Sequence, residues 1–203
     1  MCSQHACSYM MTVYEQVLDA TSRAVGALTV GDPFDPATVV GPVVNKVAYD
    51  RILEAISDVG NSGVRTVVGG HRVAESEFGA DIGDDYFIEP TVLADVDPNS
   101  EVAQKEVFGP VLSVTRFSSE AEAIELDNAT PYGLGTFVQT RDVSRAHRIA
   151  SMLESGSVAV NGNSGLPPGA PFGGYKLSGF GREGGREGLQ EFLRTKNVHI
   201  TLI

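Results

Sequence analysis

Strand-like and helix-like patterns alternate along almost the whole chain, and no other feature narrows its fold as much. Over residues 14–28, Val17, Leu18, Ala24, Val25 and Leu28 recur at helical spacings, and Gly31-Asp32-Pro33-Phe34-Asp35-Pro36 stops the pattern. A second stripe, Ile52, Ala55, Ile56 and Val59, predicts a helix over 47–59 with Asn45 as its N-cap. Residues 64–68, closed by Gly69-Gly70, predict a buried strand. The polar stretch 71–85 reads as a surface excursion before strand-like Tyr86-Phe87-Ile88 and Thr91-Val92-Leu93, with Pro90 arguing for an edge position or a break. A strand over 111–117 follows, then a helix opened by the capping-box pattern Ser119-Glu120-Ala121-Glu122 and a strand over 134–138. Asp142 caps a helix carrying Val143, Ala146, Ile149 and Leu153, and a short strand is predicted over 157–161.

This alternation predicts an α/β fold: a largely parallel sheet flanked by helices. Over 162–181 the pattern gives way to glycine, proline and serine. A loop of about 20 residues inside a folded domain is more often functional than idle. A last helix over 182–193 leads to a C-terminal tail, 197–203, whose alternating residues predict a half-buried strand without an evident partner.

Composition serves mainly to exclude. Lys+Arg 15 against Asp+Glu 26 gives a net charge of −11, which repels nucleic-acid phosphates and anionic membrane surfaces. Nucleic acid and membrane are therefore not expected partners. Both cysteines, Cys2 and Cys7, fall in the first seven residues, so no disulfide framework staples the chain. With no secretory pattern at the N-terminus, a reducing, cytoplasmic compartment is expected. No spacing suggests a metal site, and His147 and His199 lack sequence neighbours that would make a catalytic triad.

Two segments carry the chemistry. In Glu106-Val107-Phe108-Gly109-Pro110, a Gly-Pro turn presents a carboxylate and a ring at the mouth of an apolar strand. A carboxylate can accept hydrogen bonds from two ribose hydroxyls, and a phenyl ring can pack on a nicotinamide. In Pro171-Phe172-Gly173-Gly174-Tyr175-Lys176-Leu177-Ser178-Gly179, continued by Gly181-Arg182-Glu183, paired glycines permit close backbone approach and Phe172 offers a rigid apolar wall.

The first segment resembles the Glu-(Ile/Val)-Phe-Gly-Pro motif of aldehyde dehydrogenases, and the second their Pro-Phe-Gly-Gly-x-Lys-x-Ser-Gly-x-Gly-Arg-Glu signature. Looser similarities lie in the same order: Gly31-Asp32-Pro33 with Asp35, the Asp127-Asn128-Ala129-Thr130-Pro131-Tyr132-Gly133-Leu134 stretch, and Val160-Asn161. The resemblance runs from about residue 14 to the C-terminus. It implies NAD or NADP as cofactor, contacted by Glu106 and Phe108, and an aldehyde substrate whose entrance Phe172 lines. It also implies a place for Glu183 near the catalytic centre as a proton relay; a first-turn residue favoured by the helix dipole is the other reading of Glu183. Lys176 reads as a surface charge.

The family's nucleophile is a cysteine in a Gly-Gln-x-Cys context. Cys7, in Ser3-Gln4-His5-Ala6-Cys7, is similar to that motif with one residue inserted, but it stands only seven residues before Tyr14, closer than the family's cysteine does. Cys2 has nearly the family spacing without the motif. Both stay open as the nucleophile, against inert thiols. The family's general-base glutamate, oxyanion asparagine, ribose-binding lysine and cofactor domain precede the nucleophile and are not represented here. The resemblance therefore divides the chain into a segment around the nucleophile region (1–13), a catalytic domain (14–193) and an oligomerisation tail strand (194–203). Function divides in two: the catalytic portion of an NAD(P)-dependent aldehyde dehydrogenase, acting as a homo-oligomer or with a missing N-terminal cofactor-binding half, or a non-catalytic domain that folds and pairs with a partner chain.

Overall fold

The computed structural model describes residues 2–3, 6–59, 63–73, 86–162, 167 and 169–202, and no side chain before residue 8. The chain folds as two compact units, Met1–Thr130 and Pro131–Ile203. That boundary is absent from the division drawn on the sequence.

The first unit contains, in order, strands β1 (Cys2–Ser3) and β2 (Ala6–Met10), helices α1 (Tyr14–Gly26) and α2 (Lys46–Asp58), strands β3 (Arg65–Val68) and β4 (Thr91–Ala94), the short α3 (Glu101–Gln104), strand β5 (Val111–Phe117) and helix α4 (Glu120–Asn128). Its sheet runs β3-β4-β5-β2-β1. The interior pairs β4–β5 and β2–β5 are parallel, while β1–β2 and β3–β4 are antiparallel.

Period-two alternation in β4 explains the helices on both faces. Leu93 packs in one cluster with Ile52 and Ile56 of α2, whereas Val92 and Ala94 pack in another with Tyr14 and Leu18 of α1. β5 repeats the division with Val111 and Val114. Ile52, Val92 and Leu93 are fully buried, each such side chain contributing roughly 1.5–3 kcal/mol. The predicted caps form. Asn45 accepts from the Ala48 amide at 2.9 Å, and Ser119 from the Glu122 amide at 3.2 Å.

Several expectations need correction here. Residues 64–68 are not a buried strand: β3 is an edge strand paired only with β4, and Arg65 and Thr66 are exposed. Pro90 marks a break and not an edge, because it precedes β4, whose four residues are all buried between β3 and β5. Tyr86-Phe87-Ile88 forms only an isolated bridge, Arg72 to Ile88. Residues 74–85, most of the expected excursion, lie outside the described residues.

The second unit contains strands β6 (Tyr132–Gly133) and β7 (Gly135–Val138), helix α5 (Val143–Met152), strands β8 (Ser157–Val160) and β9 (Tyr175–Lys176), and helix α6 (Gly185–Gln190). β7, α5 and β8 form a parallel crossover unit, and Asp142 caps α5 by accepting from the Arg145 amide at 3.0 Å. β6 pairs antiparallel with β9, which arises inside the stretch expected to be a loop.

The last helix is shorter than the predicted 182–193. Gly184 and Gly185 have φ of +68° and +60°, a left-handed entry that keeps residues 182–184 out of the helix. The tail also differs from expectation. Residues 194–202 form no strand, and Val198, Ile200 and Leu202 are 66%, 75% and 91% exposed in place of the expected half-buried strand. Among the described residues, no helix is long and apolar enough to cross a membrane.

Candidate active site

In the first unit, Glu106-Val107-Phe108-Gly109-Pro110 enters β5 at its N-terminal end. Val107 is buried with Ile52 and Val111, and its carbonyl accepts from Arg51 Nη2 at 3.2 Å. Gly109 has no room for a side chain: a Cβ there would stand 2.7 Å from Ile52 Cδ1. The Thr91 amide donates to the Pro110 carbonyl at 2.8 Å, tying the turn to β4. Pinned on both sides, the backbone at Phe108 takes φ +49°, a left-handed conformation that costs a non-glycine residue about 1–2 kcal/mol. Its ring stands 65% exposed, and Glu106, two residues earlier, is half-buried.

Parallel β2 lies beside β5, with Cys7 opposite Val114 and Ala6 opposite Ser113. Val114 is three residues into β5 from Val111, about 10 Å at strand rise. The backbone of Cys7 therefore lies beside the middle of β5, one strand over and about 10 Å along from the end that the Glu106–Phe108 turn enters. Cys2 is the direct Cα partner of Cys7 across β1–β2. The side chains of Cys2 and Cys7 lie outside the described residues.

In the second unit, the structure brings Phe172 and Glu183 together. Each amide donates to the other's carbonyl at 2.7 Å, forming an antiparallel bridge. This removes one reading of Glu183. It is an exposed residue in extended backbone, two positions before α6 begins, and not a first-turn helix residue. Phe172 is half-buried.

Residues that sequence reasoning passed over hold this bridge. Arg182 Nη1 donates to the carbonyls of Gly174 at 2.9 Å and Gly181 at 2.8 Å, and its guanidinium lies 5.4 Å from the Tyr175 ring centroid. A single cation thereby ties both arms of the Phe172–Glu183 loop. Gly156 permits the approach from below, since a Cβ there would stand 1.7 Å from the Gly173 carbonyl oxygen. Ser178 Oγ accepts from the Gly133 amide at 3.1 Å, joining the motif to β6. Arg182 sits in the recognised motif and was legible as a multiple donor. Gly156, in plain Ser155-Gly156-Ser157, gave no signal.

Lys176 is a surface charge, exposed on strand β9, and it forms an ion pair. Its Nζ lies 2.9 Å from Glu154 Oε2, its side chain is 25% exposed, and its backbone φ is +53°. Asn161, from the looser similarity, accepts from the Thr140 amide at 2.9 Å and donates to the Thr140 carbonyl at 2.6 Å. Its side chain thus extends the β7–β8 pairing where the strands end.

Comparison with known proteins agrees with this geometry. The aldehyde dehydrogenase family model matches residues 4–198. Geranial dehydrogenase of Castellaniella defragrans is 43% identical over 188 residues, 92% of this chain and 37% of that protein. Chloroplastic betaine aldehyde dehydrogenase of Beta vulgaris is 39% identical over 187 residues, 92% of this chain and 36% of that protein. Among solved structures, betaine aldehyde dehydrogenase from Staphylococcus aureus in complex with NAD+ superposes with a TM-score of 0.87 at 36% identity, covering 94% of this chain and 37% of that one. Aldehyde dehydrogenase from Mycobacterium tuberculosis complexed with NAD+ gives 0.85 at 37% identity, covering 93% and 38%. The chain spans little more than a third of the length of these relatives, and within that span the matching motifs, fold and family model agree that it belongs to the aldehyde dehydrogenase family.

Proposed function

We propose that this chain is the catalytic portion of an NAD(P)-dependent aldehyde dehydrogenase, which oxidises an aldehyde to a carboxylic acid through a cysteine-bound hemithioacetal and thioester. The observation that carries the reading is strand adjacency in the first unit: the strand bearing Cys7 lies directly beside the strand whose entry presents Glu106 and Phe108.

The residues present fit a nicotinamide cofactor. Phe108 offers an exposed apolar ring on a pinned turn, and Glu106 offers carboxylate oxygens to ribose hydroxyls. Solved relatives carry NAD+. When bound, such a cofactor supplies the hydride acceptor.

In the proposed reaction, a cysteine thiolate, Cys7 or Cys2, attacks the aldehyde carbonyl carbon; a C–S bond forms and the oxygen takes the electron pair. Loss of hydride from that carbon leaves a thioester. Water then attacks the thioester, the C–S bond breaks, and the acid and the thiol are released. Phe172 lines the approach of the aldehyde. Glu183, held by its backbone bridge to Phe172, moves a proton at the hydrolytic step.

The exposed alternating tail supports association. Val198, Ile200 and Leu202, exposed on alternate positions, would be covered by a second copy or by a cofactor-binding half. The test of function is aldehyde-dependent nicotinamide reduction by the protein isolated from its natural source. Loss of reduction in Cys7→Ser or Cys2→Ser identifies the nucleophile; reduction untouched by both variants overturns the cysteine mechanism.

A further inference from the structure

We propose that Cys2 and Cys7 form a redox modification site, closing on oxidation into a reversible disulfide between β1 and β2. The argument rests on backbone register. Cys2 and Cys7 are direct Cα partners in an antiparallel pair. Such partners stand about 4.5 Å apart in a non-hydrogen-bonded pair and about 5.5 Å in a hydrogen-bonded one. Both values fall inside the Cα separation of about 4.4–6.8 Å that a disulfide spans, so the register places the two backbones within disulfide range. The register is anchored from the other side: β2 keeps five consecutive partners in β5, from Ala6 opposite Ser113 to Met10 opposite Phe117. Only four residues separate the two cysteines, and so short a loop favours closure within one chain over pairing between chains.

The oxidant is a hydroperoxide, hydrogen peroxide being the simplest. One thiolate attacks a peroxide oxygen; the O–O bond breaks, a sulfenic acid forms and the first water leaves. The second thiolate displaces hydroxide from the sulfenic sulfur, the S–S bond forms and a second water leaves. Two S–H bonds are lost, both sulfurs are oxidised, and the peroxide is reduced to two waters. A dithiol reverses the change by exchange. In a reducing compartment such a bond is transient and regulatory. That it would withdraw the nucleophile rests on the cysteine mechanism proposed above; formation of the bond does not.

The reduced full-length chain is treated with one equivalent of hydrogen peroxide, alkylated and weighed intact without reductant. Expected is a monomer lighter by about two mass units with neither cysteine alkylated, restored by dithiothreitol. In Cys2→Ser and Cys7→Ser the remaining thiol gains oxygen or is alkylated instead. Oxygen added separately to both thiols of the parent chain, or disulfide-linked dimers, overturns the proposal. Mass is read without turnover, so the two claims fail separately. A chain that fails to close leaves the nucleophile in place, whereas one that closes but never reduces nicotinamide loses only the nucleophile.

Discussion

Phe172 and Glu183 exchange both backbone hydrogen bonds at 2.7 Å, so the residue proposed to line the aldehyde's approach and the proposed proton carrier are held as one antiparallel pair. The pairing uses main-chain atoms only. Glu183→Gln should therefore leave stability within about 0.5 kcal/mol of the parent in denaturant unfolding. Glu183→Pro removes the donor and should cost at least about 1 kcal/mol. If Glu183 carries a proton, Glu183→Gln lowers turnover while melting normally. Normal turnover in that variant would remove the relay role.

Gly156 tests the close approach beneath the same loop. With a Cβ 1.7 Å from the Gly173 oxygen, Gly156→Ala should destabilise by about 1–3 kcal/mol. Gly26 is the contrast: nothing lies within 4 Å of a Cβ at that helix end, so Gly26→Ala should be neutral or stabilising by up to about 1 kcal/mol. Equal melting shifts in the two variants would contradict this account of the glycines.

How much of this was legible follows from how local each cause is. Asn45, Ser119 and Asp142 cap helices through amides three residues away, and the sequence displayed all three. The capping box at Ser119 is modified, because Glu122 Oε2 accepts from the Ser118 amide, one residue before the cap. β3 read as buried because its apolar residues resemble those of an interior strand, yet its edge position is set by distant β4. The late start of the last helix was hidden because glycine permits both helical and left-handed φ; a Cβ at Gly184 or Gly185 would stand 2.7 Å from the Ala170 or Gly169 carbonyl oxygen, so no other residue fits there. The two proposed cofactor contacts, Glu106 and Phe108, rest on the motif. The strained φ that exposes Phe108 was not legible, since it depends on Ile52 filling the space beside Gly109.

Tyr14 joins α1 to the end of β4 and the middle of β5. Its hydroxyl accepts from the Asp95 amide at 2.8 Å and donates to the Val114 carbonyl at 3.4 Å, with the Arg116 guanidinium 4.4 Å from the ring centroid. Tyr14→Phe leaves the Asp95 amide without this acceptor and should cost about 1–2 kcal/mol. Burial raises the Tyr14 hydroxyl above its ordinary pKa of 10.0. The folded chain therefore holds that proton after the unfolded chain has released it. This contribution is intact below the ordinary tyrosine range and declines as pH rises through it. Unfolding free energies measured across alkaline pH should fall less steeply in Tyr14→Phe than in the parent; parallel slopes would contradict the assignment.

The tail offers an assembly test. Ile200→Lys places a charge in the exposed apolar row of Val198, Ile200 and Leu202 and should shift light scattering toward smaller species without lowering the melting temperature of the monomer. A parent chain already monomeric at high concentration would remove the association role.

The most direct test of the central claim is nicotinamide reduction by the natural protein with an aldehyde, compared with Phe108→Ala and with Cys7→Ser and Cys2→Ser. Aldehyde-dependent reduction should be abolished by one of the two cysteine variants and weakened at limiting cofactor by Phe108→Ala. Absence of both nucleotide binding and aldehyde-dependent reduction in the natural protein would contradict the claim and leave a folded, non-catalytic member of the family.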